Sequence, residues 1–470
     1  MRKTKIICTM GPACTNEETL TNLCKAGMNV ARLNFSHGDH ASHKATIDLI
    51  KKVRDELDLP IAIMLDTKGP EYRIGEFENG KVQLKDGDDF IFTSKDVIGD
   101  NTRVSVSYKN LAHEMSVGDS ILVNNGLVAF EVNEVGEDYV KCTVISGGEL
   151  SNRKSMAFPN KVLNQEFLSE QDKSDILFGI ENDVDYIAAS FVSTMENVLD
   201  IKNFLKENGG ERIDVVAKIE NRAGVDNIEK ICSACEGIMV ARGDLGVEIP
   251  YEQLPAIQKR LITTCRMKGK RVITATEMLE SMIHNLRPTR AEISDVANAV
   301  YDGTSAVMLS GETAIGKNPP LVVKTMDAIC RETEENINYN RRFHSIEFEI
   351  ANNIDAVSHA ACSMALSIGA KAIAVCSLSG RTARMVSRFR PDIDIIGFTT
   401  SKKVWRKLAL SWGVIPMLCE EFSSVEVMFY EAAKSTAKHL ELKEGDNVII
   451  VGGTISGKVG GANNIRLETI

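Results

Sequence analysis

The sequence carries no basic excess. Its 65 Asp and Glu outnumber 55 Lys and Arg, giving a net charge of −10 and an isoelectric point near 5.5. That excludes sequence-independent nucleic-acid binding, which needs a basic face. No apolar run approaches membrane-spanning length. Met1-Arg2-Lys3-Thr4-Lys5 runs straight into a strand with no signal-peptide core. Neither nucleic acid nor membrane is expected as a partner. Cys232-Ser233-Ala234-Cys235 is a lone C-x-x-C; no second ligand pair follows at zinc spacing, so it reads as small apolar residues at a helix end. The eleven cysteines, odd in number and scattered through apolar segments, suit a reducing compartment, and a cytoplasmic location is expected.

What is present points to a large soluble α/β protein. A chain of 470 residues, 43% apolar and 26% charged, suggests two to four globular domains. Strand-like runs occur at Lys5–Thr9, Asn29–Leu33, Ile61–Asp66, Asp185–Phe191, Asp214–Glu220, Gly237–Arg242, Arg271–Thr276 and Ser305–Ser310, with helical stretches between most of them. Thr15-Asn16-Glu17-Glu18 reads as a capping box and Gly27 as the helix stop. Eight such strands predict a (β/α)8 TIM barrel. The alternative, a doubly wound open sheet, lacks a glycine-rich dinucleotide fingerprint after the first strand. Between Asp66 and Asp185 the rhythm breaks into short alternating runs punctuated by Gly, Asp and Asn. This predicts a small all-β domain inserted after the third barrel strand, on the catalytic face, where it would act as a lid. Asn338-Tyr339-Asn340-Arg341-Arg342 reads as a linker, after which an α/β pattern restarts. The expected divisions are 1–67 and 169–340 for the barrel, 68–168 for the lid, and 346–470 for a C-terminal α/β domain.

The ends of the strand-like runs are unusually polar. Lys218 and Glu220 are two apart on one run and so face the same side. Asp244 ends the next run, in Arg242-Gly243-Asp244. Arg32, Asp66, Thr276 and Ser310 stand at other ends. In a TIM barrel such ends converge on one face. Glu220 and Asp244 offer carboxylates to magnesium or manganese, Lys218 offers charge to a phosphoryl group, and Arg32 a fork for phosphate oxygens. The amides of Gly243 and Asp244 can open a helix that receives a carboxylate. The competing reading of Lys218 and Glu220 is a mutual ion pair inside the barrel, tolerable only with further partners.

These residues resemble the pyruvate kinase family, of bacterial type, over essentially the whole chain. The matching segments are Met28–Gly38, Leu65–Glu71, Lys218–Asn221, Met239–Pro250, Thr274–Met282 and Arg287–Thr313. The resemblance implies phosphoryl transfer from phosphoenolpyruvate to ADP, giving pyruvate and ATP. It assigns Lys218 to the phosphoryl group in flight, and Glu220 and Asp244 to Mg2+ (or Mn2+). Gly243 and Asp244 amides with Thr276 would take the substrate carboxylate, and Thr276 and Ser310 would lie on the proton route to the enolate. Arg32, Asn34, His37, Arg73 and Lys154 would surround nucleotide and phosphate. Asn34, Ser36, Asp66 and Thr67 match the family's K+ site, and Glu71 implies dependence on K+.

The chain departs from that pattern in the lid and at the barrel mouth. It has Asn124-Asn125-Gly126 for the usual Asp-Asp-Gly, and Lys154–Asn160 in place of Lys-Gly-Val-Asn-Leu-Pro-Gly. Ser193 replaces Arg, Glu277 replaces Gln and Ser305 replaces Asp. Altered lid closure or nucleotide affinity is expected. In the third domain, Ser377, Ser379, Gly380, Arg381 and Thr382 form a hydroxyl-rich helix start that suits a phosphate. An ordinary helix start is the alternative. The resemblance makes this loop an effector site for a sugar phosphate or AMP, with residues 452–461 as a second wall and Trp405 and Arg406 as candidates to face it. It also implies a homotetramer. Two other classes stay open: a lyase or aldolase on a related barrel, and a catalytically weak metabolite-binding regulator.

Overall fold

The computed structural model describes residues 1–159, 161, 163, 166–453 and 461–470. Eight parallel strands close into a barrel: β1 (Lys5–Thr9), β2 (Val30–Asn34), β3 (Ala62–Asp66), β4 (Tyr186–Ala189), β5 (Asp214–Ile219), β6 (Gly237–Ala241), β7 (Arg271–Ala275) and β8 (Ala306–Leu309). They pair in chain order, and β8 returns to β1. Every expected barrel strand is present within one or two residues at each end.

Strand parity sorts the side chains. Val215, Ala217 and Ile219 face outward into the layer shared with the helices, whereas Val216 belongs to the barrel interior. Lys218 and Glu220 share the parity of Val216 and so rise from the interior to the barrel's C-terminal mouth. The same count places Arg32 and Asn34 above Val30, and Asp66 above Ala62 and Met64. The interior floor is closed by Leu410, which comes from the C-terminal domain.

Helix ends follow local chemistry. The helix Glu17–Ala26 is capped by Asn16, whose side chain accepts the Thr19 amide; the cap therefore lies one residue after the Thr15 expected from the capping box. Gly27, at φ 115°, ends it as expected.

The insertion is an all-β domain whose seven-stranded sheet carries Asp89–Thr93, Ser120–Val123, Val128–Val135 and Tyr139–Ser146. Phe90, Phe92 and Phe130 pack at its centre, with ring centroids 4.9–5.6 Å apart. Three short strands not anticipated, Tyr72–Arg73, Gly148–Ser151 and Ser155–Ala157, complete it. The chain leaves the barrel at Gly69, whose φ is +71° and where a Cβ would stand 2.7 Å from the Cβ of Ser190. Only glycine fits that exit.

The polar stretch 338–342 enters a helix, Tyr339–Ser345, that buries Tyr339 and Phe343. Beyond it lies a five-stranded sheet in the order β11-β10-β9-β12-β13: β9 (Ala372–Cys376), β10 (Asp394–Thr399), β11 (Val414–Leu418), β12 (Asn447–Gly453) and antiparallel β13 (Ala462–Thr469). Residues 454–460 of the expected second effector wall lie outside the described residues. Among the described residues, no helix is long and apolar enough to cross a membrane.

Candidate active site

The barrel mouth holds a connected ionic lattice. Lys218 Nζ lies 3.0 Å from Asp66 Oδ1 and 3.0 Å from Glu220 Oε1, and it donates to Ser190 Oγ at 2.7 Å. Asp66 Oδ2 accepts from Arg32 Nε at 2.6 Å, and Arg32 Nη1 donates to Thr9 Oγ1 at 2.9 Å. The Lys218–Glu220 ion pair of the competing reading therefore exists, inside a larger network that supplies the partners a buried pair requires.

Electrostatics holds these groups in defined states. Burial pulls the Lys218 pKa down, but Asp66 and Glu220 outweigh it, so the net shift is upward and the ammonium stays charged. Burial pushes Asp66 up, and Arg32 and Lys218 more than reverse that. Glu220 differs: burial pushes it up to about 7 against the pull of Lys218, with Asp244 adding to the rise. Its Oε2 also accepts the Phe191 amide at 2.6 Å. Phe191 turns to φ +56° to deliver that N–H.

The residues expected to take the substrate carboxylate are joined by a second network. Arg242-Gly243-Asp244 opens the helix Arg242–Glu248 directly after β6. The Gly243 amide donates to Thr276 Oγ1 at 2.9 Å. Thr276 and Glu277 both have positive φ, 68° and 53°, a conformation L side chains resist. The Arg242 guanidinium holds them there: it donates to the Thr276 carbonyl at 2.5 Å and the Glu277 carbonyl at 3.2 Å, and is anchored on Asp295 at 2.7 Å. Arg242 is the main site residue the sequence reading passed over. Its signal was its place beside Gly243, but its reach to the next strand's end depends on the barrel. Ser190, Thr9 and Glu312, whose carboxylate accepts the Ser310 amide at 2.6 Å, were passed over too.

Two cavities open on this face. One, of about 710 Å³, lies between lid and barrel and is lined by Arg73, Lys154, Asn124, Asn125, Asp244 and Glu248, among others. The other, of about 790 Å³, is lined by Arg32, Asn34, His37, Gly11, Pro12 and Ser310, among others. The four expected nucleotide residues are thus divided, Asn34 and His37 in one cavity and Arg73 and Lys154 in the other. Arg73 is already engaged, with Glu71 at 2.5 Å and the Arg153 carbonyl at 2.6 Å.

Among the described residues, no three His, Cys, Asp or Glu side chains form a preformed metal cage. Two carboxylates, Glu220 and Asp244, suit Mg2+, which keeps several waters and takes its remaining ligands from substrate phosphates. Asn34 and Asp66 are direct partners across β2 and β3. With Ser36 and Thr67 they make an all-oxygen set fitting a hard monovalent cation. Asn34 Oδ1 accepts the Ser36 amide at 3.2 Å, which folds the loop after β2 back on itself.

In the C-terminal domain, the loop after β9 carries Ser377, Ser379 and Gly380, the last at φ +71°. The helix Arg381–Arg388 that follows has Gly380 as its N-cap, and its first amide, of Arg381, donates weakly to Ser379 Oγ at 3.4 Å. Thr382 is buried, only 3% exposed, unlike the half-exposed Ser377 and Ser379. Arg406 does not face this loop: it reaches the barrel, pairing with Asp185 at 2.9 Å and Asp183 at 2.7 Å. Trp405 donates its indole N–H to the Pro416 carbonyl at 3.1 Å.

Comparison with known proteins agrees with this geometry. The family model described as pyruvate kinase, barrel domain, matches residues 1–323, and that described as pyruvate kinase, alpha/beta domain, matches residues 355–468. The pyruvate kinase of Clostridium perfringens is 45% identical, with 100% of both chains covered. That of Clostridium acetobutylicum is 44% identical over the same full extent. A crystal structure of a pyruvate kinase from Cryptosporidium parvum superposes with a TM-score of 0.95 at 38% identity, covering 100% of this chain and 96% of that one. The chain belongs to the pyruvate kinase family.

Proposed function

We propose that this chain transfers the phosphoryl group of phosphoenolpyruvate to ADP, yielding pyruvate and ATP. The observation that carries the reading is the Arg32–Asp66–Lys218–Glu220 lattice at the barrel mouth, between a lid cleft and a second cavity. Phosphoryl transfer asks a protein mainly for positioning and charge compensation, and this lattice supplies both. Lys218, held charged by Asp66, faces the phosphoryl oxygens. Arg32 grips the same group through its fork. Gly243, Asp244 and Thr276 seat the carboxylate, and Thr276 with Ser310 guides a proton to the enolate carbon.

Glu220 and Asp244 are the proposed ligands of Mg2+ (or Mn2+), and Asn34, Ser36, Asp66 and Thr67 those of K+. These ions, when bound, neutralise charge on the transferring group. Asn34, His37, Arg73 and Lys154 contact the nucleotide, which requires lid closure to bring the two cavities' residues together. The domain limits follow as 1–67 and 169–340, 68–168, and 346–470. A phosphorylated effector, sugar phosphate or AMP, fits the 377–382 loop, and a homotetramer is the proposed assembly.

The test measures pyruvate from phosphoenolpyruvate with and without ADP, Mg2+ and K+. Turnover should require all three and fall by at least ~10³-fold in Lys218→Met. Pyruvate released at full rate without ADP would support a lyase instead.

A further inference from the structure

The junction between the barrel floor and the C-terminal domain concentrates positive charge around one crevice. Lys270, Arg271, Arg384, Arg388, Arg390 and Trp412 line a narrow, solvent-open crevice with room inside for about one water-sized group, about 10 Å³. The barrel contributes the turn before β7, and the C-terminal domain contributes the helix Arg381–Arg388 and the segments that follow it.

The cations outnumber their counter-charges. Asp214 is shared between Arg271 at 2.8 Å and Lys407 at 2.7 Å. Asp355 serves Arg388 at 3.2 Å, and Glu236 is taken by Lys202 at 2.6 Å. Lys270 donates to the Cys235 carbonyl at 2.6 Å and makes no close ion pair among the described residues. Arg390, 4% exposed, donates to the Gly303 and Ser387 carbonyls and pairs with no carboxylate among the described residues. The Arg384 side chain makes no hydrogen bond and no close ion pair among the described residues, and feels Asp214 and Glu236 only at longer range. Two buried donors, Arg388 Nε and Arg390 Nε, have no acceptor among the described residues. Burial holds the pKa values of Lys270, Arg384, Arg388 and Arg390 below their ordinary range. An unmatched buried cation and an orphaned donor are both destabilising. One group removes both penalties: an oxyanion, which accepts from several guanidinium N–H groups at once.

We propose that the solvent-open mouth of this crevice binds a small inorganic oxyanion of the phosphate class, at the joint between the barrel and the C-terminal domain. Arg384, whose side chain makes no hydrogen bond among the described residues, is its principal ligand, with Arg388 and Arg390 lining the same crevice. The anion ties the β6–β7 side of the barrel to the helix that starts at the 377–380 loop, so its occupancy stiffens that joint.

The test uses the full chain with Trp405→Phe, leaving Trp412 as the single tryptophan of the two in the sequence. Trp412 stacks under Arg390 with its ring centroid 4.7 Å from the guanidinium carbon, so it reports on the crevice. Inorganic phosphate is titrated against chloride at matched ionic strength. A saturable change in Trp412 emission is expected, with a midpoint raised at least tenfold by Arg384→Met and by Arg384→Gln, and largely restored in Arg384→Lys. Ser379→Ala, in the adjacent loop, should leave the midpoint unchanged. A non-saturating response, an equal response to chloride, an unchanged midpoint in both Arg384 removals, or loss of the signal in Ser379→Ala would each overturn the proposal.

Discussion

Lys218 on β5 reaches past β4 to Asp66 at the end of β3, with Nζ 3.0 Å from Oδ1. Asp66 is fully buried and also holds Arg32 at 2.6 Å, so one carboxylate keeps two active-site cations apart and oriented. Asp66→Asn should leave Lys218 and Arg32 without their shared counter-charge. A stability loss of about 3 kcal/mol or more is expected, as for other broken buried pairs, visible as a thermal midpoint several degrees lower. The turnover number should fall about 100-fold with the loss of preorganised charge.

Arg242 is the clamp that keeps Thr276 in its left-handed backbone conformation. Lysine at that position has one point of charge and cannot serve Asp295 and two carbonyls together. Arg242→Lys should therefore cost about 100-fold in kcat/KM for phosphoenolpyruvate by misplacing the Thr276 hydroxyl. The KM for ADP should move far less. Steady-state kinetics with each substrate varied separates the two effects.

Glu248 lies under the lid, where its Oε1 accepts the Phe158 amide at 3.3 Å. Burial pushes this carboxyl up to about 7, with the Phe158 amide pulling it down and Asp244 pushing it up. Because the folded value lies above the ordinary 4.5, the folded chain retains a proton that the unfolded chain has lost between those values. Stability therefore falls as pH rises from about 4.5 to about 7, by about 3 kcal/mol from this group. Glu248→Gln should remove that slope. Thermal midpoints of the two proteins should lie closest near pH 4.5, and above pH 7 the variant should melt at the higher temperature by several degrees.

Glu71 sits where the chain enters the lid and pairs with Arg73 at 2.5 Å. The wild type should lose most activity when K+ is replaced by Na+. Glu71→Lys, which puts a fixed cation in the segment that follows the proposed K+ ligands Asp66 and Thr67, should retain a far larger share of its activity without K+. Initial rates at fixed ionic strength test both.

The residues legible before the structure share one property: their placement follows from local periodicity. Lys218 and Glu220 face the mouth because they are two apart on a strand whose outward positions, Ala217 and Ile219, are apolar. Arg242, Ser190 and Glu312 were not legible, because each reaches past its own strand, Glu312 to the Leu279 amide after β7 at 3.1 Å, at a distance set by barrel order and tilt. The short lid strands Tyr72–Arg73 and Ser155–Ala157 were missed for a related reason. Two or three residues are too few to show alternation; Tyr72–Arg73 is a strand because it finds Ser155–Ala157, which in turn pairs with Ser120–Val123.

The sequence by itself determined the eight-stranded barrel, the β insertion after β3, the separate third domain and the inward parity of the catalytic candidates. These follow from hydrophobic spacing, which is a property of neighbours along the chain. Only the tertiary structure decided that Asn34 and His37 line one cavity while Arg73 and Lys154 line another. It also turned Arg406 toward the barrel, set Leu410 into the barrel floor and gathered five cations at the joint between domains. Those arrangements depend on how whole elements dock, through contacts between residues up to several hundred positions apart, and no local pattern encodes them.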